Sequence, residues 1–232
     1  MSVTFTVRSA TGETVDRIEL EPRQLILGGF SARSQAERER HVAELREIGI
    51  EPVARTPAFW HMSTNLVTTG SEIEVQGEQT SGEVEFALVA HAGRTYVTVA
   101  SDQTDREFER TSIPRSKQLC AKVLGSDVVL LDDVRARWDE IELFSEISDD
   151  GAYWQPYQRS PLAVMLDPDA LLEASGYGDG LPDGTVFLSG TVPLVDGVTH
   201  FARHFRAALT VPDGGPALRL DYRVDVLPEI NS

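Results

Sequence analysis

Residues 82–102 read GEVEFALVAHAGRTYVTVASD, two runs of strand character joined by a His-Ala-Gly-Arg turn, and this predicts a β-hairpin. Successive side chains of a strand leave on opposite faces. Glu83 and Glu85 therefore share one face with Ala87, Val89 and His91, while Val84, Phe86, Leu88 and Ala90 take the other. Two carboxylates side by side repel unless a cation sits between them, and oxygen-only ligands suit hard ions such as Mg²⁺ or Mn²⁺. Asp102 closes the second strand, where chain geometry permits it to return near the glutamates as a third ligand. The competing reading is a solvated strand face that carries two ordinary acids.

Much of the remaining chain also reads as strand. Residues 2–8 (SVTFTVR) and 15–20 (VDRIEL) alternate about a Thr-Gly-Glu turn, so a hairpin is expected at the start. One long helix is predicted over 34–48: Ser34 precedes Glu37 by three residues as a capping box, and Gly49 stops the pattern. EPVARTPAF then runs extended, because each proline pushes the residue before it out of the helical region. IEVQG adds a strand, residues 114–124 look mixed with room for a helical turn, and 136–147 is ambiguous in period. LDPDALLEASG reads as a short helix with Asp167 as cap, Pro168 at its first position and Gly176 at its end. TVFLSGTVPL, HFARHFRAALTV and ALRLDYRVDVL return to strand. With no internal repeat or linker, residues 1–232 are expected to form a single, mainly β domain of the α+β kind, in which 1–33 is a small N-terminal β segment.

A chain of 232 residues with 41% hydrophobic side chains can bury a core, and no run approaches the roughly 18 to 20 apolar residues of a membrane span. The opening MSVTFTVRSATGE lacks the basic start and cleavage pattern of an export signal. A single cysteine, Cys120, excludes an internal disulfide and fits a reducing compartment, so a cytoplasmic protein with no membrane partner is expected. Acidic residues outnumber Lys plus Arg by 37 to 21, a balance that repels phosphate backbones and argues against nucleic acid. An acidic proteome of a salt-adapted organism would give the same excess. Of the 21 cationic residues only Lys117 and Lys122 are lysines. A lysine is a compact charge whose pKa can be tuned, whereas arginine stays charged, so the two mark positions where arginine would not serve, or else chance survivals.

In the predicted helix His41 and Glu44 are three apart and so neighbours on one face, near enough for the carboxylate to orient an imidazole that takes a proton from water. The run QAERERHVAELRE around them also reads as a plain solvated face. His200 and His204 stand four apart, but HFARHFRAALTV reads as a strand, where they share a face as ordinary residues. Gly28-Gly29 lacks a dinucleotide fingerprint, and Cys120 reads as structural.

The order of these pieces resembles the fumarylacetoacetate hydrolase family. GGF…HVAELREIGIEPVARTPAFW looks like the family's stretch of glycine, Asn-Tyr, His-x-x-Glu-Leu and a proline-bearing loop that ends in an aromatic and a lysine. GEVEFALVAH resembles its Glu-x-Glu metal strand, and SDQTDREFE is similar to its Asn-Asp-x-Thr-Ala-Arg-Asp-x-Gln segment, which puts Asp102 on the metal aspartate and Arg106 on the arginine. LPDGTVFLSGTVPLVDG looks like its glycine- and threonine-bearing loop, with Gly190 and Thr191 in the matching places. The four motifs span residues 28–197. Departures from the pattern point to a divergent prokaryotic branch, DUF2848-like. Phe30 and Ser31 stand near the place of the Asn-Tyr, His61 or Met62 replaces the lysine after the aromatic, and a plain hairpin joins Glu85 to Asp102.

The resemblance implies a mixed β-sandwich or β-roll with few short helices, an N-terminal hairpin and a lid helix over 34–48. It implies that Glu83, Glu85 and Asp102 bind one Mg²⁺ or Mn²⁺, and that the substrate is a small 2-oxo acid. Lys117, preferred over Lys122, would stabilise the developing oxyanion; Glu44 and His41 would activate water; Arg106, Gly190 and Thr191 would hold the substrate or the metal shell, with Lys122 beside them. The implied reaction is acylpyruvate-like C–C hydrolysis or oxaloacetate-type decarboxylation through a metal-bound enolate, in a homodimer. The alternatives are a non-catalytic β-rich binding or assembly protein on the same fold, and a metal hydrolase that acts on a different bond.

Overall fold

The computed structural model of the protein describes residues 2–47, 53–228 and 230. The chain opens with β1 (Val3–Arg8) and β2 (Thr14–Leu20), the antiparallel hairpin expected from their alternation. β3 (Gln24–Gly29) leads into helix α1 (Gln35–Glu47), and β4 (Ala58–Met62) pairs antiparallel with β3. Short strands β5 (Val67–Thr68), β6 (Glu72–Val75) and β7 (Thr80–Ser81) precede the hairpin of β8 (Val84–His91) and β9 (Arg94–Asp102). After β10 (Thr104–Asp105) come two short helices, α2 (Arg106–Glu109) and α3 (Ile113–Gln118), then β11 (Lys122–Leu124), β12 (Asp127–Leu130) and α4 (Leu131–Val134). The rest is β13 (Glu142–Ser148), β14 (Gln155–Pro161), α5 (Pro168–Ser175), β15 (Thr185–Leu188), β16 (His204–Thr210) and β17 (Ala217–Val226).

The large sheet runs β2-β1-β12-β9-β8-β15-β3-β4, with β11 and β5 continuing from β9; the second runs β14-β13-β16-β17-β6. Both are mixed, since β1 with β12, β3 with β15, β5 with β11 and β6 with β17 are parallel pairs in otherwise antiparallel ladders. The N-terminal strands are therefore built into the large sheet on both sides of β8 and β9. The protein is mostly β with few short helices, as expected.

β8 explains the two cores. Apolar side chains stand on both of its faces, Val84, Phe86 and Leu88 on one and Ala87 and Val89 beyond Glu85 on the other, and such a strand is stable only when covered on both sides. Val84, Phe86 and Leu88 pack into a core shared with Leu143, Phe205, Leu209 and Tyr222 of the second sheet. Ala87 and Val89 enter another, with Phe5, Leu25, Leu27, Val186 and Leu188 of the large sheet itself. Phe86 meets Trp138 edge-on with ring centroids 4.9 Å apart, and its full burial is worth about 1.5–3 kcal/mol in transfer terms. The solvated-face reading of the Glu-x-Glu strand is thereby overturned, because both faces of β8 are interior.

Helix ends follow their capping chemistry. The Glu37 N–H donates to Ser34 Oγ at 3.4 Å, and Asp167 accepts from the Ala170 N–H at 2.9 Å, while Gly176 closes α5 with φ of 84°. Two strands are shorter than their sequence patterns. β15 stops at Leu188 because the chain turns at Gly190, where φ is 91°. β16 begins only at His204, opposite Ser148 at the end of β13, so His200 precedes the strand and the two histidines do not share a strand face. His200 instead pairs with Asp196 at 2.8 Å. Among the described residues, no helix is long and apolar enough to cross a membrane.

Candidate metal centre

The hairpin's open end gathers the three acids. Glu83 lies just before β8 and Asp102 ends β9, with the Asp102 N–H donating to the Glu83 carbonyl at 3.0 Å, so the ladder continues one step past the strand. Glu85, two residues on, leaves from the same face and pairs in register with Ala100. One oxygen from each of Glu83, Glu85 and Asp102 lies within 4.8 Å of the others. Asp102 and Glu85 are buried and Glu83 is partly so.

Three cations arrive from the segment that follows. Lys122 begins β11 directly opposite Asp102, and its ammonium reaches Asp102 Oδ1 at 2.8 Å and the Gln103 carbonyl at 2.7 Å. Lys117, from the last turn of α3, donates to Asp102 Oδ2 at 2.5 Å and Glu83 Oε2 at 2.9 Å. Arg106 starts α2 behind Asp105, whose side chain caps the helix on the Phe108 N–H at 2.8 Å. Its guanidinium spans Glu83 Oε1 at 3.0 Å, Glu109 Oε2 at 2.9 Å and Ser81 Oγ at 2.7 Å.

Glu85 is the member without a cation of its own. Oε2 accepts the Gly190 N–H at 2.7 Å, and Oε1 is buried with no hydrogen-bond partner. Burial, with Asp102 and Glu83 nearby, pushes its carboxyl well above the ordinary range against the pull of Lys117 and the Gly190 N–H. Glu83 goes the other way: burial would raise it, but Arg106 and Lys117 hold it below the usual carboxylate range. Burial alone would lower Lys117, yet Asp102 and Glu83 raise it, whereas for Lys122 burial prevails and lowers it. An unpartnered buried carboxylate oxygen is costly, and a divalent ion shared by the three acids would satisfy it. The donors fit such an ion, since they are all hard oxygens and converge from a rigid hairpin.

Gly190 and Thr191 also lie at this end of β8. Thr191 Oγ1 donates to the Val84 carbonyl at 2.9 Å, and Ser31 Oγ donates to the Ser189 carbonyl at 2.5 Å, which ties the start of the 189–194 loop to the end of β3. Phe30, next to Ser31, adopts a left-handed φ of 55°. His61 is exposed on β4, and Met62, on that strand's other face, belongs to the core that also holds Ala87 and Val89. Positions 41 and 44 fall within α1, but the side chains of His41 and Glu44 lie outside the described residues.

Several supporting residues went unread in the sequence. Gln158 of β14 accepts the Val84 N–H at 2.8 Å and donates to Thr191 Oγ1 and the Val192 carbonyl, both at 2.7 Å. Gln103 accepts from Tyr222 Oη at 2.7 Å and donates to Thr80 Oγ1 at 2.8 Å, which links β17 to the residue beside Asp102. These contacts are 70 or more residues apart in sequence for Gln158–Val84 and over 100 for Tyr222–Gln103, with no local pattern to reveal them. Glu109 had a local sign, its helical spacing of three from Arg106.

Residues 28–222 match the family described as "Protein of unknown function (DUF2848)", and the chain belongs to that family. No curated protein matches it. Among solved structures it is similar to 2-keto-3-deoxyarabinonate dehydratase, with 18% identity and a TM-score of 0.63 over 94% of this chain and 79% of that one. It is also similar to 2-keto-3-deoxy-D-arabinonate dehydratase complexed with magnesium and 2,5-dioxopentanoate, at 17% identity and a TM-score of 0.58 over 93% and 79% of the two chains. Cg1458 gives 15% identity and a TM-score of 0.60 over 91% and 80%. These likenesses show that the chain shares the fold of these proteins.

Proposed function

We propose that the protein is a divalent-metal-dependent enzyme that acts on a small 2-oxo acid through an enolate across C2 and C3, with Glu83, Glu85 and Asp102 as metal ligands. The observation that carries this reading is Glu85 Oε1, a buried carboxylate oxygen without a partner that lies among two further carboxylates. The similar dehydratase complexed with magnesium and 2,5-dioxopentanoate supports both the metal and the substrate class. When bound, Mg²⁺ would supply Lewis-acid polarisation of the 2-oxo group and stabilise the negative charge that builds on its oxygen.

The remaining work falls to the chain. Arg106 holds Glu83 in the ionised form a ligand needs and fixes its direction through Ser81 and Glu109. Lys122 and the Gln103 carbonyl it binds set Asp102 in place from below. Gly190 presents its N–H to Glu85 without a side chain, and Thr191, held by Gln158, lines the neighbouring turn where substrate oxygens would sit. Lys117 reaches both Glu83 and Asp102, and a positive group there would offset charge on the forming oxyanion. His41 and Glu44, three apart on α1, are the proposed pair for moving the proton to or from water.

Enolate formation can be read without the natural substrate. In D₂O with Mg²⁺, the protein should catalyse deuterium incorporation at C3 of 2-oxobutanoate, followed by ¹H NMR, and Glu85→Gln should abolish it. Absence of exchange across a set of 2-oxo acids, including acylpyruvates and oxaloacetate, would remove the enolate step from the reading.

A further inference from the structure

The three carboxylates already hold a cation that belongs to the chain. Lys117 Nζ bridges Asp102 Oδ2 at 2.5 Å and Glu83 Oε2 at 2.9 Å, so one ammonium occupies oxygens on two of the three acids. The third acid, Glu85, keeps an unpartnered buried oxygen beside them. Lys122 is placed differently. It is wholly buried on a strand fixed in register with β9, and its ammonium is divided between Asp102 Oδ1 and a backbone carbonyl. Lys117 extends from a helix of six residues and retains 7% of its side-chain exposure.

We infer that Lys117 is a displaceable occupant of the carboxylate triad: in the metal-free chain its ammonium neutralises Glu83 and Asp102, and a divalent ion binds by replacing it while Lys122 and Arg106 stay. This rests on the metal-site reading above and adds how the site remains folded before its ion arrives. An ion shared by the three acids would need oxygens of Glu83 and Asp102, each of which is already paired with Lys117, Lys122 or Arg106. The balance of charge argues the same way. With Glu109 on Arg106, four acids face Lys117, Lys122 and Arg106, and a divalent ion added without displacement would turn a formal excess of one negative charge into one of one positive.

The residue type fits an occupant that must leave. A lysine stem is flexible and its ammonium is a point charge, whereas the rigid guanidinium fork of an arginine would grip the carboxylates in a bidentate pair. Of the two lysines in the chain, Lys117 is the one carried on a short helix and not in a strand ladder, and it keeps that freedom.

The test is Mn²⁺ affinity, read from the electron paramagnetic resonance signal of free Mn²⁺, for wild type and Lys117→Gln. Removal of the internal competitor should tighten Mn²⁺ binding at least tenfold. Equal or weaker binding by folded Lys117→Gln, with wild type binding Mn²⁺, overturns the displacement and leaves the metal site standing. No binding by either protein overturns both. If Lys117→Gln is unfolded in metal-free buffer, Mn²⁺ should restore the circular dichroism of the wild type, and failure to restore it overturns the inference.

Discussion

Lys122 and Asp102 face each other as register partners on β11 and β9, and the lysine ammonium lies 2.8 Å from Asp102 Oδ1 with both side chains fully buried. Removing the lysine leaves Lys117 to carry the Asp102 charge and strands the buried Gln103 carbonyl. Lys122→Met should therefore destabilise the protein by about 3–5 kcal/mol, measured by urea unfolding. A loss under 1 kcal/mol would mean that Asp102 is neutralised in another way.

The acids predict opposite pH dependences. Burial, with Asp102 and Glu83, raises the folded pKa of Glu85 above its unfolded value, so its contribution to the stability of the metal-free chain is complete below the ordinary glutamate range and is lost as pH rises through the raised value. Glu85→Gln should flatten that alkaline-side decline and exceed metal-free wild type in melting temperature above it. Unchanged slopes in the two proteins would exclude a proton on Glu85.

For Glu83 the sign reverses. Burial is outweighed by Arg106 and Lys117, the folded pKa is lowered, and the stability present above the ordinary glutamate range is lost as pH falls below it. Arg106→Gln removes one of the two counter-charges and should move the midpoint of acid unfolding to higher pH. A midpoint that stays in place would show that Lys117 alone sets the Glu83 charge.

Gln158 makes three of its hydrogen bonds to backbone or side-chain groups of β8 and the 191–192 turn. Gln158→Leu keeps the bulk and strands the buried Val84 N–H, at about 1–3 kcal/mol for each group left unsatisfied. Because the turn is proposed to face the substrate, KM should rise more than kcat falls. A selective loss of kcat would place Gln158 in the chemistry instead.

How much of this was legible in the sequence depends on the reach of each feature. Period-2 alternation and a tight turn were enough to bring Glu83, Glu85 and Asp102 to one end of a hairpin, because all three depend on contacts between adjacent strands. Local capping chemistry likewise located α1 and α5. Burial of Glu85 was not legible, since it comes from β15 with the Gly190 turn after it and from Lys117, which reach this face of β8 from distant parts of the chain. That both Lys117 and Lys122 reach Asp102 was hidden for the same reason. The parallel and antiparallel pairings of β11 put Lys122 on Asp102 while α3 delivers Lys117 to its other oxygen, and spacing alone could not show that both reach one carboxylate.

The most direct measurement is a thermal-shift titration of metal-stripped protein with Mg²⁺, with and without oxalate as a mimic of a 2-oxo acid enolate, on wild type and Glu85→Ala. A ligand that binds only the folded state raises its melting temperature in proportion to occupancy. The account predicts a rise with Mg²⁺ that oxalate enlarges and that Glu85→Ala abolishes. A wild-type melting temperature indifferent to Mg²⁺ and to oxalate would contradict it.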